Sequence, residues 1–275
     1  IGVHSEPPSV EVNNLVPIPD IICSVNEDTE KIRDNIGKNI TRGLPQVQPY
    51  ETQWNKTVGI VLGGPTLNEY FPDILEKRKN GMPVITVNGS HKYCMDRGLI
   101  PSAMIMLDSR EFNNRFVYPL VEDCKYFIAS QCHPSVFENL KDNKVWIWHC
   151  AGDDNFDLLK EVYGEEYYPI MGGATVAFRS VHLLRMLGFH KFEMYGFDSC
   201  IMGEHHAYEQ PENDSEGVTV AGREFTCTAA QYHQAKEFID MTSKTGEHYD
   251  LAVHGDGLIS HIIKNPDSLK IKEVG

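Results

Sequence analysis

Small and polar residues follow the apolar runs of this sequence, at the positions where an α/β fold binds its ligands. The run at residues 57–62 ends in Gly63, Gly64, Pro65 and Thr66. Glycines let the backbone approach a ligand closely, and the free N–H groups at the start of a following helix attract anions. The turn lacks the third glycine of a dinucleotide fingerprint and the lysine of a P-loop. A tight turn between a strand and a helix needs glycines in any case, so this turn alone leaves phosphate binding open.

Further strand ends carry the same kind of residue, and together they favour a nucleotide pocket. In open α/β sheets, ligands bind outside the carboxyl ends of the strands. The amide of Asn88 suits a base or ribose, while Asp108 and Asp198 suit a ribose hydroxyl or Mg²⁺. Capping of a loop is the alternative role for each aspartate. The other residues predicted at this face are Gly89, Ser109, Gly172, Gly173, Ala174 and Thr175.

A polar stretch at residues 203–214 holds the candidates for acid–base chemistry. A neutral histidine can deprotonate an acceptor hydroxyl, which makes His206 and His205 candidate catalytic bases, together with Asp198 as a third catalytic candidate. Adjacent histidines on an extended chain point in opposite directions, so a metal shared by both is the less favoured interpretation. Solvated loop histidines are the alternative. The residues predicted to contact substrate are Tyr208, Gln210, Asn213 and, at a later strand end, His254.

Alternating strands and helices must position these residues. Continuous apolar runs separated by helical stretches indicate a parallel sheet that is covered on both faces. The clearest helix follows Gly173, with apolar residues at a spacing of three and four, and a hairpin is predicted around Ala221 and Gly222. The sequence therefore predicts an α/β, Rossmann-like three-layer fold with a mainly parallel sheet and a C-terminal hairpin and helix elaboration.

The chain is expected to contain one such domain, with extensions at both ends. Residues 1–56 are rich in proline and are predicted to form an N-terminal arm that packs on the core or on a neighbouring subunit, with a partly disordered tail as the alternative. Residues 57–264 are predicted to form the domain itself. Residues 265–275 are expected to form a tail.

Composition limits the function classes that are open. The 275 residues carry a net charge of −14, which argues against the broad positive field that nucleic-acid binding requires. No apolar run is long enough to span a membrane. The seven scattered cysteines contain no C-x-x-C pair and are expected to be reduced, so a cytoplasmic location is predicted. A homo-oligomer is allowed by the sequence.

Five segments carry a resemblance to a known family: GIVLGGPTLNE, VITVNGS, MIMLDS, MGGATVAFRSVHLLRMLGFHKFEMYGFD and HHAYEQPEND. Over about residues 57–264 the chain resembles the MptE-like family, which includes archaeal 6-hydroxymethylpterin diphosphokinases and domains associated with flagellin-glycosylating motility factors. It is more faintly similar to bacterial CMP-sialic-acid sialyltransferases, which share a glycine–proline turn and a Gly-x-Asp strand end. The resemblance implies a nucleotide site at residues 63–66, Asn88, Asp108 and residues 172–175.

The expected function is a nucleotide-dependent transferase, and three versions of it stay open. A glycosyltransferase would use a nucleotide-sugar donor and an acceptor that the sequence does not identify, and the sialyltransferase similarity implies His205 or His206 as its base. A diphosphokinase of the pterin type would use Mg²⁺ and ATP, with Asp108 and Asp198 as metal ligands. A non-catalytic nucleotide-binding module is the third. An oxidoreductase that uses a nicotinamide is disfavoured by the missing third glycine.

Overall fold

A computed structural model describes residues 27–152, 155–173, 175–203, 207, 215–244 and 250–265. They form two compact units. The larger unit contains residues 27–62 and 75–190, and the smaller unit contains residues 63–74 and the described residues from 191 onward. The described chain passes between the units at three places: between Leu62 and Gly63, within the helix α2 (Leu67–Lys79) and within the strand β7 (Phe189–Tyr195).

Parallel strands form the sheet of the larger unit. They lie side by side in chain order, and each pair of neighbours is parallel. Every residue of the second and third strands is buried, as expected for the centre of a parallel sheet with both faces covered. The strands are β1 (Trp54–Val61), β2 (Val84–Val87), β3 (Ala103–Met106), β4 (Lys125–Ala129), β5 (Lys144–Cys150) and β6 (Pro169–Ile170).

Short helices connect these strands. Two of them, α3 (Ser90–Asp96) and α6 (Val176–Met186), contact β2. A 3₁₀ helix at Glu111–Val117 links β3 to β4. The remaining helices of the larger unit are α1 (Thr29–Ile40), α4 (Pro134–Asn139) and α5 (Phe156–Tyr163).

The smaller unit combines a parallel strand pair with the predicted hairpin. The end of β7 pairs with β10 (Asp250–His254), with Tyr195 opposite His254. The hairpin strands β8 (Ser215–Val220) and β9 (Arg223–Thr228) are joined by Ala221 and Gly222, both at positive φ. Positive φ at two successive turn residues matches the twist of paired strands, which is why this turn type is common in hairpins. The last helices are α7 (Ala229–Lys244) and α8 (Leu258–Lys264).

The predicted fold class is confirmed: each unit is built from parallel strands and helices, and the hairpin lies near the C-terminal end. Strand β1 begins at Trp54 rather than at residue 57, because the Trp54 N–H bonds Gly188 O and its indole bonds Leu187 O. The two-residue strand β6 and the 3₁₀ helix were not predicted. None of the described helices is both long enough and apolar enough to cross a membrane.

Two buried asparagines fix α1 to the larger unit. The Asn39 side-chain amide donates to Ser130 O at 2.9 Å and to Cys132 O at 2.7 Å. One turn earlier, the Asn35 amide donates to Ser109 O and Gln131 O. These bonds satisfy carbonyl groups of loops that would otherwise be buried without a donor. Helix α1 falls within residues 1–56, the predicted arm, whose boundary stays a prediction.

Replacing Asn39 by alanine is expected to destabilise the larger unit by about 2–3 kcal/mol, because two buried carbonyls lose their donors. The matched control is Asn80→Ala, at an exposed turn after α2, with an expected change below about 0.5 kcal/mol. Urea denaturation followed by circular dichroism measures both. Equal stability of the two variants would contradict the role given to Asn39.

Candidate functional site

Asp198, which follows β7, is bonded to the glycine turn in front of α2. The Thr66 N–H donates to Asp198 Oδ2 at 3.0 Å, and the Thr66 hydroxyl donates to Asp198 Oδ1 at 2.7 Å. Asp198 is only 2% exposed. The structure thus brings together two predicted site residues that are far apart in sequence. The Thr66 hydroxyl donates its proton to Asp198, and the Glu69 N–H donates to the Thr66 carbonyl.

Three glycines close the space around the Asp198–Thr66 pair. A Cβ on Gly64 would lie 2.3 Å from Asp198 Oδ2, and one on Gly257 would lie 2.6 Å from Asp198 Cα. At Gly255, where φ is +125°, a Cβ would come within 2.6 Å of the Thr66 hydroxyl. Gly64 of the predicted turn is therefore required here by close packing within the protein. Their use for phosphate binding stays a prediction.

The environment of Asp198 raises the pKa of its carboxyl. Burial raises the pKa of the Asp198 carboxyl, and the nearby Glu69 carboxylate raises it further, while the hydrogen bonds from Thr66 oppose the shift. The Asp198 carboxyl holds the glycine turn in front of α2 in place, because Thr66 donates a hydrogen bond to each of its oxygens. Its predicted roles in catalysis and in metal binding stay predictions.

His254, a predicted substrate contact, belongs to an aromatic and acidic cluster in the smaller unit. Its ring stacks on Tyr195 with centroids 4.4 Å apart, and its Nε2 lies 3.2 Å from Glu193 Oε2. The Tyr195 hydroxyl donates to Glu193 and also lies 3.2 Å from Asp73 Oδ2. Burial and these two carboxylates raise the pKa of Tyr195. Sequence reasoning missed Glu193, because strand pairing brings it close to His254.

In the larger unit, Asn88 joins the ends of two strands. Its φ is +48°, its N–H donates to Ile105 O, and its Oδ1 accepts from the Leu107 N–H at 3.2 Å. Gly89 follows in helical conformation at the start of α3. The buried Ser90 hydroxyl then bonds Val61 O at 2.6 Å. The polar run after β2 therefore ties three strands together at their carboxyl ends.

Asp108 is paired with an arginine two residues away. Arg110 Nε lies 3.0 Å from Asp108 Oδ1, and Arg110 Nη2 lies 2.7 Å from Asp108 Oδ2. Burial alone would raise the pKa of Asp108, but the hydrogen bonds from the Arg110 side chain and N–H outweigh it and hold the pKa below its ordinary value. Arg110 was not singled out in the sequence, although it stands in the same loop.

The start of α6 is the least satisfied polar region among the predicted site residues. Gly172 and Gly173 have positive φ, and a Cβ on Gly172 would lie 2.8 Å from the Arg179 nitrogen. Arg179 holds this loop through its Nε, which donates to Gly173 O at 2.7 Å. Thr175 is the N-cap residue of α6, yet its hydroxyl caps nothing. That hydroxyl is buried and makes no hydrogen bond within the described residues.

One polar group of the predicted nucleotide set in the larger unit, Thr175 Oγ1, is buried without a hydrogen-bond partner in the described part of the chain. Buried or half-buried donors of this kind are normally satisfied. Groups that the protein leaves without a partner are available to a ligand.

Other predicted site residues lie outside the described residues. They are Ala174, His205, His206, Tyr208, Gln210 and Asn213.

Both predicted magnesium ligands, Asp108 and Asp198, are hydrogen-bonded to protein groups, and their use for a metal stays a prediction. Arg110 occupies both oxygens of Asp108, and Thr66 occupies both oxygens of Asp198. Where the structure describes the chain, no three His, Cys, Asp or Glu side chains are grouped to hold a metal. No step of the proposal below therefore depends on a metal.

Comparison with known proteins assigns the family. The family described as "6-hydroxymethylpterin diphosphokinase MptE-like" matches residues 30–204, which is more than half of the chain. The protein therefore belongs to the MptE-like family. No match was found among curated proteins.

A solved structure shares the fold. The MAf glycosyltransferase from Magnetospirillum magneticum AMB-1 aligns with a TM-score of 0.63 at 11% identity, over 85% of this chain and 39% of its own. This chain thus spans well under half the length of that enzyme. A mammalian sialyltransferase aligns with a TM-score of 0.41 at 11% identity, over 84% of this chain and 80% of its own.

The raised pKa of Asp198 predicts a fall in stability with rising pH. In the window between the pKa of the unfolded carboxyl, near 3.9, and its higher value in the fold, the native protein holds a proton that the unfolded chain has released. That contribution is full below the window and is lost as the pH rises through the native pKa. Asp198→Asn keeps both bonds to Thr66, because the amide NH₂ can donate to the hydroxyl, but it cannot titrate.

Urea denaturation from pH 3.5 to 8 measures this contribution. The expected result is a smaller loss of unfolding free energy across the window in Asp198→Asn than in the wild type. Asp250→Asn, at an exposed strand start of the same unit, is the control and should follow the wild type. Parallel curves for all three proteins would show that the pKa of Asp198 is the same in the folded and unfolded states.

Proposed function

We propose that the protein is a nucleotide-dependent transferase of the glycosyltransferase type, which takes a nucleotide-sugar donor. The observation that carries the proposal is the start of α6, where a glycine turn precedes the buried and unbonded hydroxyl of Thr175. The N-terminus of an eleven-residue helix carries a partial positive charge. A phosphate at this position would accept the Thr175 proton and face that charge.

Such a site suits the leaving group of glycosyl transfer. As the bond between the sugar and its phosphate breaks, negative charge builds up on the phosphate oxygen, and a preorganised donor with a helix N-terminus stabilises that charge. The Asn88 side-chain amide and the Ser109 hydroxyl are donors that suit the hydroxyls or base of the nucleotide. The acceptor hydroxyl loses its proton to His206 or His205 in this proposal.

The comparisons support a transferase without choosing its reaction. The family description names a diphosphokinase, while a structural neighbour is named a glycosyltransferase. Glycosyl transfer is favoured because both carboxylates expected to hold Mg²⁺ for a diphosphokinase are bonded to Arg110 and Thr66. A diphosphokinase would have to separate Asp108 from Arg110. A non-catalytic module would bind the same nucleotide without His206.

Thr175→Val tests the phosphate site. The substitution keeps the shape and removes a hydroxyl that makes no bond to the described protein, so the free energy of unfolding is expected to stay equal or rise slightly. Affinity for a nucleotide sugar is expected to fall about tenfold, as for loss of one hydrogen bond to a charged group. Calorimetry measures the affinity, and thermal unfolding measures the stability.

The control for this variant is Thr41→Val, at the exposed end of α1. It should leave affinity unchanged. A Thr175→Val protein that loses stability and keeps its affinity would assign the hydroxyl a structural role and remove the phosphate site.

Calorimetry with CMP-, UDP- and GDP-sugars and with ATP, each with and without Mg²⁺, separates the reactions. Metal-independent binding of one nucleotide sugar is expected, followed by slow hydrolysis or transfer that His206→Ala abolishes without loss of binding. Binding of ATP alone, and only with Mg²⁺, would replace the proposal by diphosphoryl transfer. Binding without turnover, unchanged in His206→Ala, would indicate the non-catalytic module.

A further inference from the structure

A groove of about 730 Å³ lies in the larger unit, at the amino ends of its strands. It is far from the predicted nucleotide residues of the same unit, which follow the carboxyl ends. Along β3, for example, Ala103 lines the groove, while Asp108 lies five residues on, about 16 Å away in an extended chain. A volume of this size is typical of small-molecule sites.

The register between the strands explains why the sheet leaves space at the floor of the groove. Ile85, Ala103 and Lys125 are paired in one row across three parallel strands, and paired residues project to the same face of a sheet. Phe127 and Trp146 form the next pair, with ring centroids 5.8 Å apart. The small side chain of Ala103 therefore lies between larger neighbours, and this leaves space above it.

The opposite wall is held firmly in place. Tyr50 stacks on Trp54 with centroids 5.8 Å apart, and Trp54 stacks on Phe189 at 6.0 Å. The Tyr50 N–H donates to Met186 O, and the Trp54 N–H donates to Gly188 O. Rigid aromatic walls lose little entropy on binding, so the site is largely formed before a ligand arrives.

The charge of the lining is unusual for this chain. Twelve of the sixteen lining residues are apolar or aromatic, one is a lysine, and none is acidic, although the protein carries 39 acidic and 25 basic residues. Lys125 is exposed and makes no ion pair within the described residues. The polar ends of Gln46 are already used, because its Oε1 lies 3.2 Å from His149 Nε2 and its Nε2 donates to Glu166 O.

We infer that this groove binds a small aromatic monoanion: flat rings pack between the aromatic wall and the floor at Ala103, and the single negative group pairs with Lys125. Five of the twelve apolar lining residues carry aromatic rings, which favours a ring over an acyl chain. The inference is independent of the proposed transferase activity.

The first probe is 1-anilinonaphthalene-8-sulfonate, an aromatic monoanion, titrated into the full-length chain and followed by fluorescence. One site is expected. Lys125→Gln should weaken its binding about threefold, the size of an exposed ion pair. Lys144→Gln is the matched control, since Lys144 is paired with Lys125 across β4 and β5 but does not line the groove. It should leave the affinity unchanged.

The neutral analogue N-phenyl-1-naphthylamine has similar rings but no negative charge. It therefore tests the ring contacts alone, and Lys125→Gln should not change its affinity. Two filling variants test the location: Ala103→Leu on the floor and Ser102→Trp at the half-buried edge. Each should abolish binding of both probes in a protein that circular dichroism shows to be folded. Unchanged binding in a folded filling variant would overturn the site.

Competition tests the ligand class. Displacement of the sulfonate by 1-naphthoate at lower concentration than by dodecanoate is expected. The reverse order would overturn the aromatic assignment in favour of an acyl chain. If Lys125→Gln lowers the affinity for the charged and the neutral probe equally, the role given to the charge of Lys125 would be overturned.

Discussion

The buried carboxyl of Asp198 is the constraint on which the smaller unit depends. It receives the N–H and hydroxyl of Thr66, and Gly64, Gly255 and Gly257 approach it so closely that none has room for a Cβ. Three chain segments thus meet at one side chain: the turn before α2, the end of β7 and the turn before α8. A buried carboxyl without donors would be costly, so the turn and the aspartate stabilise each other.

Hydrogen bonds within the protein also decide which predicted residues are available to a ligand. Asp198 and Asp108 have donors from the protein for both oxygens, whereas the Thr175 hydroxyl has none among the described residues. Carboxylates at strand ends are attractive candidates in a sequence because they bind metals and riboses. Such carboxylates also accept hydrogen bonds from nearby N–H groups, as Asp198 does from Thr66 and Asp108 does from Arg110. The group without a partner in the described part of the chain is a less conspicuous one, the hydroxyl of Thr175.

The sequence allowed the fold to be predicted because each element has a local cause. The helix after Gly173 forms as α6, and the hairpin turns at Ala221 and Gly222, as predicted from neighbouring residues in the sequence. The pairing of Thr66 with Asp198 joins residues 132 positions apart, and the contact between Glu193 and His254 arises from strand pairing. No local pattern contains either one, so the site was predicted as a set of residues without its bonds.

Parallel strands give the larger unit two edges with different chemistry. All carboxyl ends lie at one edge, where free carbonyl and amide groups draw in short polar residues such as Asn88 and Ser109. The amino ends lie at the other edge, where Ala103 stands between larger side chains and an aromatic wall faces it. Because the buried strands between them are rigid, a ligand at one edge need not disturb the other. The groove could not be predicted from the sequence, because the register between strands creates it and register exists only in the assembled sheet. The bonds of Asp198 could not be predicted either, because they also depend on contacts between distant segments.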